Sequence, residues 1–125
     1  YDKILDLSER FEGGIPTSVT YSGLQWDFPN VWPPLQYALI KGIDNFGKAF
    51  NNKQDNYIVK RINSLLLKTR SNIINRYVTT TYCGWYKSKL ESGKGLFYEK
   101  YDSRYIGKPG GGGEYGLVTG NKAFA

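Results

Sequence analysis

Histidine is absent from this 125-residue chain, and cysteine occurs once, at Cys83. The first absence excludes the common zinc sites and the Ser/His and Cys/His arrangements of nucleophilic catalysis, and the second excludes an internal disulfide. Acid/base chemistry at neutral pH is therefore left to carboxylates, with tyrosine and lysine as weaker candidates. No apolar run is long enough to span a bilayer. The phosphate-binding GxxxxGK[ST] pattern and an Asn-x-Ser/Thr glycosylation site are missing as well. The start shows no charged segment followed by an apolar one, and opens directly into a polar helical pattern. The chain is thus expected to have lost a targeting segment or to be a piece of something longer.

The net charge of +6 is uneven: residues 53–108 hold twelve Lys/Arg against four Asp/Glu, and residues 1–52 hold four against six. With 16% aromatic residues this invites a nucleic-acid surface of cations and stacking rings. A solvated helix face accounts for the same charges more simply, because Lys60, Arg61, Lys68, Arg70 and Arg76 alternate with apolar residues at helical spacing. No nucleic-acid partner is expected.

A length of this order suits one domain with a modest core. Ile4, Leu5, Leu7 and Phe11 among charges predict the last turns of an amphipathic helix over Tyr1 to Phe11, ending at Gly13-Gly14. Pro33-Pro34 suits the first turn of a second helix, where a missing N–H costs nothing. Leu35, Leu39, Ile43, Phe46 and Phe50 then give it one apolar face as far as the Asn51-Asn52 break. A third helix is expected from about Asp55 toward Tyr82, with Ile58, Ile62, Leu65, Leu66, Ile73 and Tyr77 on one side. From Gly84 to Gly95 the pattern fades into glycine, serine and charge, which predicts a loop, followed by an ordered connection over Phe97 to Asp102.

Two segments carry a chemical signal. In Gln25-Trp26-Asp27-Phe28-Pro29-Asn30-Val31-Trp32-Pro33-Pro34, two tryptophans, a carboxylate and two amides fall in a loop that runs into a helix N-terminus. Sugars are held by such mixtures, aromatic faces covering pyranose C–H surfaces while amides and carboxylates bind paired hydroxyls. The same residues read equally as core anchors, with Asp27 as a turn or cap residue. In Tyr98-Glu99-Lys100-Tyr101-Asp102, followed by Gly110-Gly111-Gly112-Gly113-Glu114-Tyr115, a carboxylate between tyrosines can have its pKa tuned for general-base work. Taken singly, Glu99, Asp102 and Glu114 each read as solvated charges. The glycine run is either a linker or a place where backbone amides lie close to a ligand.

Throughout its ten positions the first segment resembles one of the two signature motifs of trehalases. The second resembles that family's glycine-rich C-terminal active-site region, including the separation of fifteen between Glu99 and Glu114. Gly14-Ile15-Pro16-Thr17-Ser18 fits the family's approach to the first motif. The resemblance implies an all-α fold, a partial (α/α)6 toroid of about three helices with long active-site loops. Residues 1–125 would form the C-terminal segment of a single glycosidase catalytic domain. It also implies inverting hydrolysis of α,α-trehalose to two glucose molecules by two carboxylates, roughly 6.5–9.5 Å apart so that water fits between base and sugar. Glu99 would be the base and Glu114 a substrate contact, with Gln25, Trp26, Asp27 and Trp32 at or just behind the sugar site. In the family the general acid is an aspartate well upstream of the matched segments, so the resemblance implies the disaccharide and the remainder of the domain as partners. No metal or cofactor is implied. A secreted or membrane-anchored location follows from the resemblance alone. After Tyr115 the chain departs from the family, reading Gly116-Leu117-Val118-Thr119. The rival readings are another (α/α)6 glycosidase and a sugar-binding or interaction module without catalysis.

Overall fold

The computed structural model describes residues 2–51, 57–111 and 123–124. Three helices dominate: α1 (Asp2–Arg10), α2 (Pro33–Asn51) and α3 (Tyr57–Ser92). Among the described residues there are also four two-residue strands: β1 (Asn30–Val31), β2 (Phe97–Tyr98), β3 (Tyr101–Asp102) and β4 (Ala123–Phe124). The fold is all-α, and the strands serve only to tie loops together. β1 pairs antiparallel with β3, setting Asn30 opposite Asp102 and Val31 opposite Tyr101, and β2 pairs in the same sense with β4. The first of these pairings joins the two segments that carry the chemical signal.

The apolar spacings form part of the packing they predict. Ile15, Ile43, Leu66 and Ile73 are buried together, with Ile4, Leu7, Leu39, Ile40 and Ile62 packed around them, so that α1 and α2 both lie against α3. Gln36 completes this corner. Its buried amide donates to the carbonyl of Ile15 at 2.8 Å and accepts from the same residue's N–H at 3.1 Å, replacing a strand partner that the incoming loop lacks.

Three expectations need correction. The third helix continues ten residues beyond Tyr82, to Ser92, through the stretch expected to be a loop. Gly84 is a poor helix former in isolation, but here it is the contact point with the loops. A Cβ at Gly84 would stand 3.2 Å from both the Gly107 carbonyl oxygen and the Tyr101 ring, so close packing offsets the weak propensity. Thr81 and Ser88 bond back to the carbonyls of Tyr77 and Trp85, which keeps their hydroxyls from competing with the helix. The second correction concerns Leu35, Phe46 and Ile58, which stay 37%, 52% and 65% exposed although their spacing places them with the core residues. Third, the basic face of α3 is more than a solvated surface. Arg70 forms a two-pronged pair with Asp44 of α2, and Lys68 pairs with Glu9 of α1 at 2.8 Å. The expected beginning of α3 at Asp55 lies outside the described residues.

Candidate active site

The start of α2, the middle of α3 and the β2–β3 turn border an open concavity of about 420 Å³. Trp32, Pro33 and Pro34 form one wall, Tyr77 and Thr81 another, and Phe97, Tyr98, Glu99 and Tyr101 the third. Glu99 is the only carboxyl side chain among these lining residues, and it is half-buried. Its place is fixed by its neighbours. Tyr101 is buried, its hydroxyl accepts the Tyr98 N–H at 3.1 Å, and the two rings meet edge-on at 5.9 Å. That bond closes the turn on which Glu99 sits. Burial pushes the Tyr101 phenol above its ordinary pKa, so it remains a neutral hydroxyl.

Asp102 does different work. Its carboxylate is buried and takes three bonds from Arg104, from the N–H at 2.9 Å, Nε at 3.0 Å and Nη2 at 2.9 Å, with the Lys108 ammonium 3.8 Å away. Burial by itself would raise its pKa, but the hydrogen bonds and positive charge of Arg104 outweigh that and hold it below the usual aspartate value. A carboxylate so committed is a poor acceptor for a proton from water. Of the two acids in this segment, Glu99 lines the concavity beside Trp32, and Asp102, which borders a separate one of about 260 Å³, is bonded to Arg104.

The first segment is locked against the second. Trp32 is 7% exposed, and its indole N–H donates to the Gln25 carbonyl at 2.9 Å. Trp26 stacks on it with centroids 4.0 Å apart and planes 12° from parallel, yet Trp26 is 48% exposed, so its other face is open. The Lys100 ammonium lies 5.3 Å from the Trp32 ring centroid, and burial lowers its pKa against the opposing pull of Glu99. The two tryptophans thus differ in setting: Trp32 is buried as an anchor, and Trp26 keeps about half of its surface exposed.

The structure thus brings Glu99 and Trp32 to one cavity and joins Trp26 to it through the stack. Gln25 is buried and contributes through its main-chain carbonyl. Asp27 is not among the residues lining the Glu99 cavity. Its carboxylate accepts the Ser22 hydroxyl at 2.5 Å, and its carbonyl accepts the Asn30 N–H at 3.0 Å in the turn. Glu114 lies outside the described residues. Sequence reasoning assigned no role to Asn30 or Arg104. Asn30 was visible as one of the two amides in the motif, while nothing in the order of residues tied Arg104 to Asp102. Among the described residues no group of three His, Cys, Asp or Glu side chains is placed to hold a metal ion.

A second, larger concavity of about 790 Å³ lies between α1, α2 and α3, lined by residues such as Leu7, Leu35, Leu39, Ile43 and Phe46. Among the described residues no ionisable side chain lines it.

A family model described as trehalase matches residues 3–121. A trehalase of Dictyostelium discoideum is 43% identical over 121 residues, 96% of this chain and 18% of that protein. A trehalase of Tenebrio molitor is 34% identical, covering 88% of this chain and 16% of its own length, and one of Homo sapiens is 35% identical, covering 88% and 15%. The chain spans less than a fifth of the length of these relatives. With nearly its whole length covered by the family model and by relatives of this similarity, the chain belongs to the trehalase family.

Proposed function

We propose that this chain is the C-terminal segment of a catalytic domain of the (α/α)6 type that hydrolyses α,α-trehalose to two glucose molecules with inversion, and that Glu99 is its general base. The observation that carries the reading is the contrast between the two acids of the second motif: Asp102 is saturated by Arg104, whereas Glu99 lines an aromatic cavity beside Trp32. In this mechanism Glu99 takes a proton from water as the oxygen attacks one anomeric carbon. An acid from the part of the domain outside this chain gives a proton to the bridging oxygen on the opposite face. Trp26 offers its open face to a pyranose ring. Gln25, Asp27 and Glu114 are assigned to substrate binding by resemblance. The apolar groove along Leu35, Leu39 and Phe46 receives other helices of the same domain.

Inversion at one carbon gives β-glucose from the attacked half and α-glucose from the other, so anomers formed in equal amounts before mutarotation support the mechanism. In the full-length enzyme Glu99→Gln keeps the shape of the side chain but cannot accept the proton. It is expected to lower kcat by ~10²–10⁴-fold with little change in KM. Azide needs no deprotonation, and its addition should restore turnover as β-glucosyl azide. Near-normal kcat in Glu99→Gln, with Asp102→Asn or Glu114→Gln as the inactive variant, would overturn the assignment. Binding of trehalose without turnover by the full-length wild-type protein would favour the sugar-binding module instead.

A further inference from the structure

The glycine run begins at a place where a side chain stands in for a β-strand. Asn30 is 2% exposed, and each of its polar groups has a partner. Its N–H donates to the Asp27 carbonyl at 3.0 Å, and its carbonyl accepts the Thr17 N–H at 3.2 Å. Its side-chain Nδ2 donates to the carbonyls of Gln25 at 3.2 Å and Gly111 at 2.8 Å, and Oδ1 accepts the Gly111 N–H at 3.2 Å. The amide therefore grips both main-chain groups of Gly111, as a strand neighbour would. On the other side of this junction the Gly110 N–H donates to the Lys100 carbonyl at 3.0 Å, and Tyr101 bridges to Pro109.

Only glycine fits at residue 110. A Cβ there would stand 2.5 Å from Asn30 Oδ1, 3.1 Å from Lys100 Cγ and 3.2 Å from the Tyr101 carbonyl oxygen. Meanwhile the Gln25 carbonyl accepts both Asn30 Nδ2 and the Trp32 indole N–H. One buried amide is thus bonded directly to the Gln25 carbonyl that orients Trp32 and to Gly111, the second glycine of the run. The run is bonded in turn to the residue that follows Glu99.

From this we infer that Asn30 is a positioning residue for substrate binding: it sets the separation between the Trp26–Trp32 platform and the segment at Gly110–Gly111. The inference rests on the trehalose-hydrolysing reading for its kinetic consequence, and on the hydrogen bonds alone for its structural one. No other residue type of similar size meets the requirement. Aspartate keeps the shape but replaces two donors by a charge facing the carbonyls of Gln25 and Gly111, and serine is too short to reach both groups of Gly111.

The test is Asn30→Asp in the full-length protein, with trehalose kinetics and amide hydrogen exchange measured on the same preparation. KM should rise about tenfold or more, the scale of losing one or two buried hydrogen bonds, while kcat changes by less than about threefold. Exchange at Gly110 and Gly111 should accelerate while α2 and α3 keep their protection. A purely structural role would instead lower the active fraction, and with it kcat, without moving KM. Gly110→Ala approaches the same contact from the other side and should raise KM in the same direction. The inference is overturned by unchanged KM in both variants, or by exchange at Gly111 that does not respond to Asn30→Asp. If the full-length wild-type protein fails to cleave trehalose, the proposed function falls and the exchange measurement still decides the role of Asn30. If Trp26→Ala raises KM and neither Asn30→Asp nor Gly110→Ala does, the function stands and this inference falls.

Discussion

In the helical layer Leu35, Phe46, Ile58 and Leu67 are each more than a third exposed, whereas around Glu99 a lysine, an aspartate, an asparagine and a serine are sealed from solvent at 3% exposure or less. The usual order is the reverse, with helices supplying buried apolar faces and loops lying open. The difference lies in the forces available to each region. A helix satisfies its own backbone and buries side chains only where a neighbour is present. An irregular loop can be buried only if each backbone group finds a partner. Here the partners are specific: the β1–β3 pair, the amides of Gln36 and Asn30, and the Asp102–Arg104 clamp. The loop cluster is organised by direction-dependent bonds within the chain, and the helices by apolar contact.

The largest effect on stability is expected where the two regions meet. Gly84→Leu forces a branched side chain into the space held by the Gly107 carbonyl and the Tyr101 ring. Overpacking against backbone that cannot give way should cost about 3 kcal/mol, the upper end of the usual range. Thermal unfolding should show this loss. If Gly84→Leu were neutral, the helix and the loop cluster would not depend on each other at this point.

A smaller effect, about 2 kcal/mol, is expected for Asp102→Asn, which weakens the charge-assisted bonds inside the loop cluster and leaves the helical layer untouched. Its pH dependence is distinctive. The folded-state pKa of Asp102 lies below the ordinary aspartate value of 3.8, so the ionised carboxylate contributes stability that is complete above that ordinary value. The contribution is lost as pH falls through the lower folded value. The gap in melting temperature between wild type and Asp102→Asn should therefore stay constant from neutral pH to about 4 and narrow below it. A gap that instead widened with acid would show that the clamp is not the source of the difference.

The smallest effect belongs to the helical layer. Asp44→Asn breaks the pair that Arg70 makes across α2 and α3, but both partners are accessible to water, and salt screens such pairs. The change in melting temperature should be slight at low ionic strength and vanish in molar salt. A loss as large as that of Asp102→Asn would erase the distinction between an apolar helical layer and a bonded loop cluster.

Much of the helical layer is legible without coordinates, because burial repeats along a helix with a period that a list of residues displays. The recurrence of Leu35, Leu39, Ile43 and Phe46 after Pro33-Pro34 predicts α2 and its apolar face. The same reading misses the last ten residues of α3, since Gly84 and Ser88 read as helix breakers until Gly107, Tyr101 and Trp85 are beside them. At the site, composition points to Trp26, Trp32 and Glu99 as residues able to do something, and leaves open which tryptophan is an anchor and which carboxylate is free.

The sequence by itself determined the three helices, the family and the two segments that hold the candidate site residues, because periodicity and motif are properties of order along the chain. Only the tertiary structure decided that Asp102 is tied to Arg104 while Glu99 faces a cavity, that Trp26 is open while Trp32 is closed, and that Asn30 holds the glycine run across a separation of 81 residues. These are choices of partner, set by the distance and direction of hydrogen bonds between segments remote in sequence, and no local pattern encodes them.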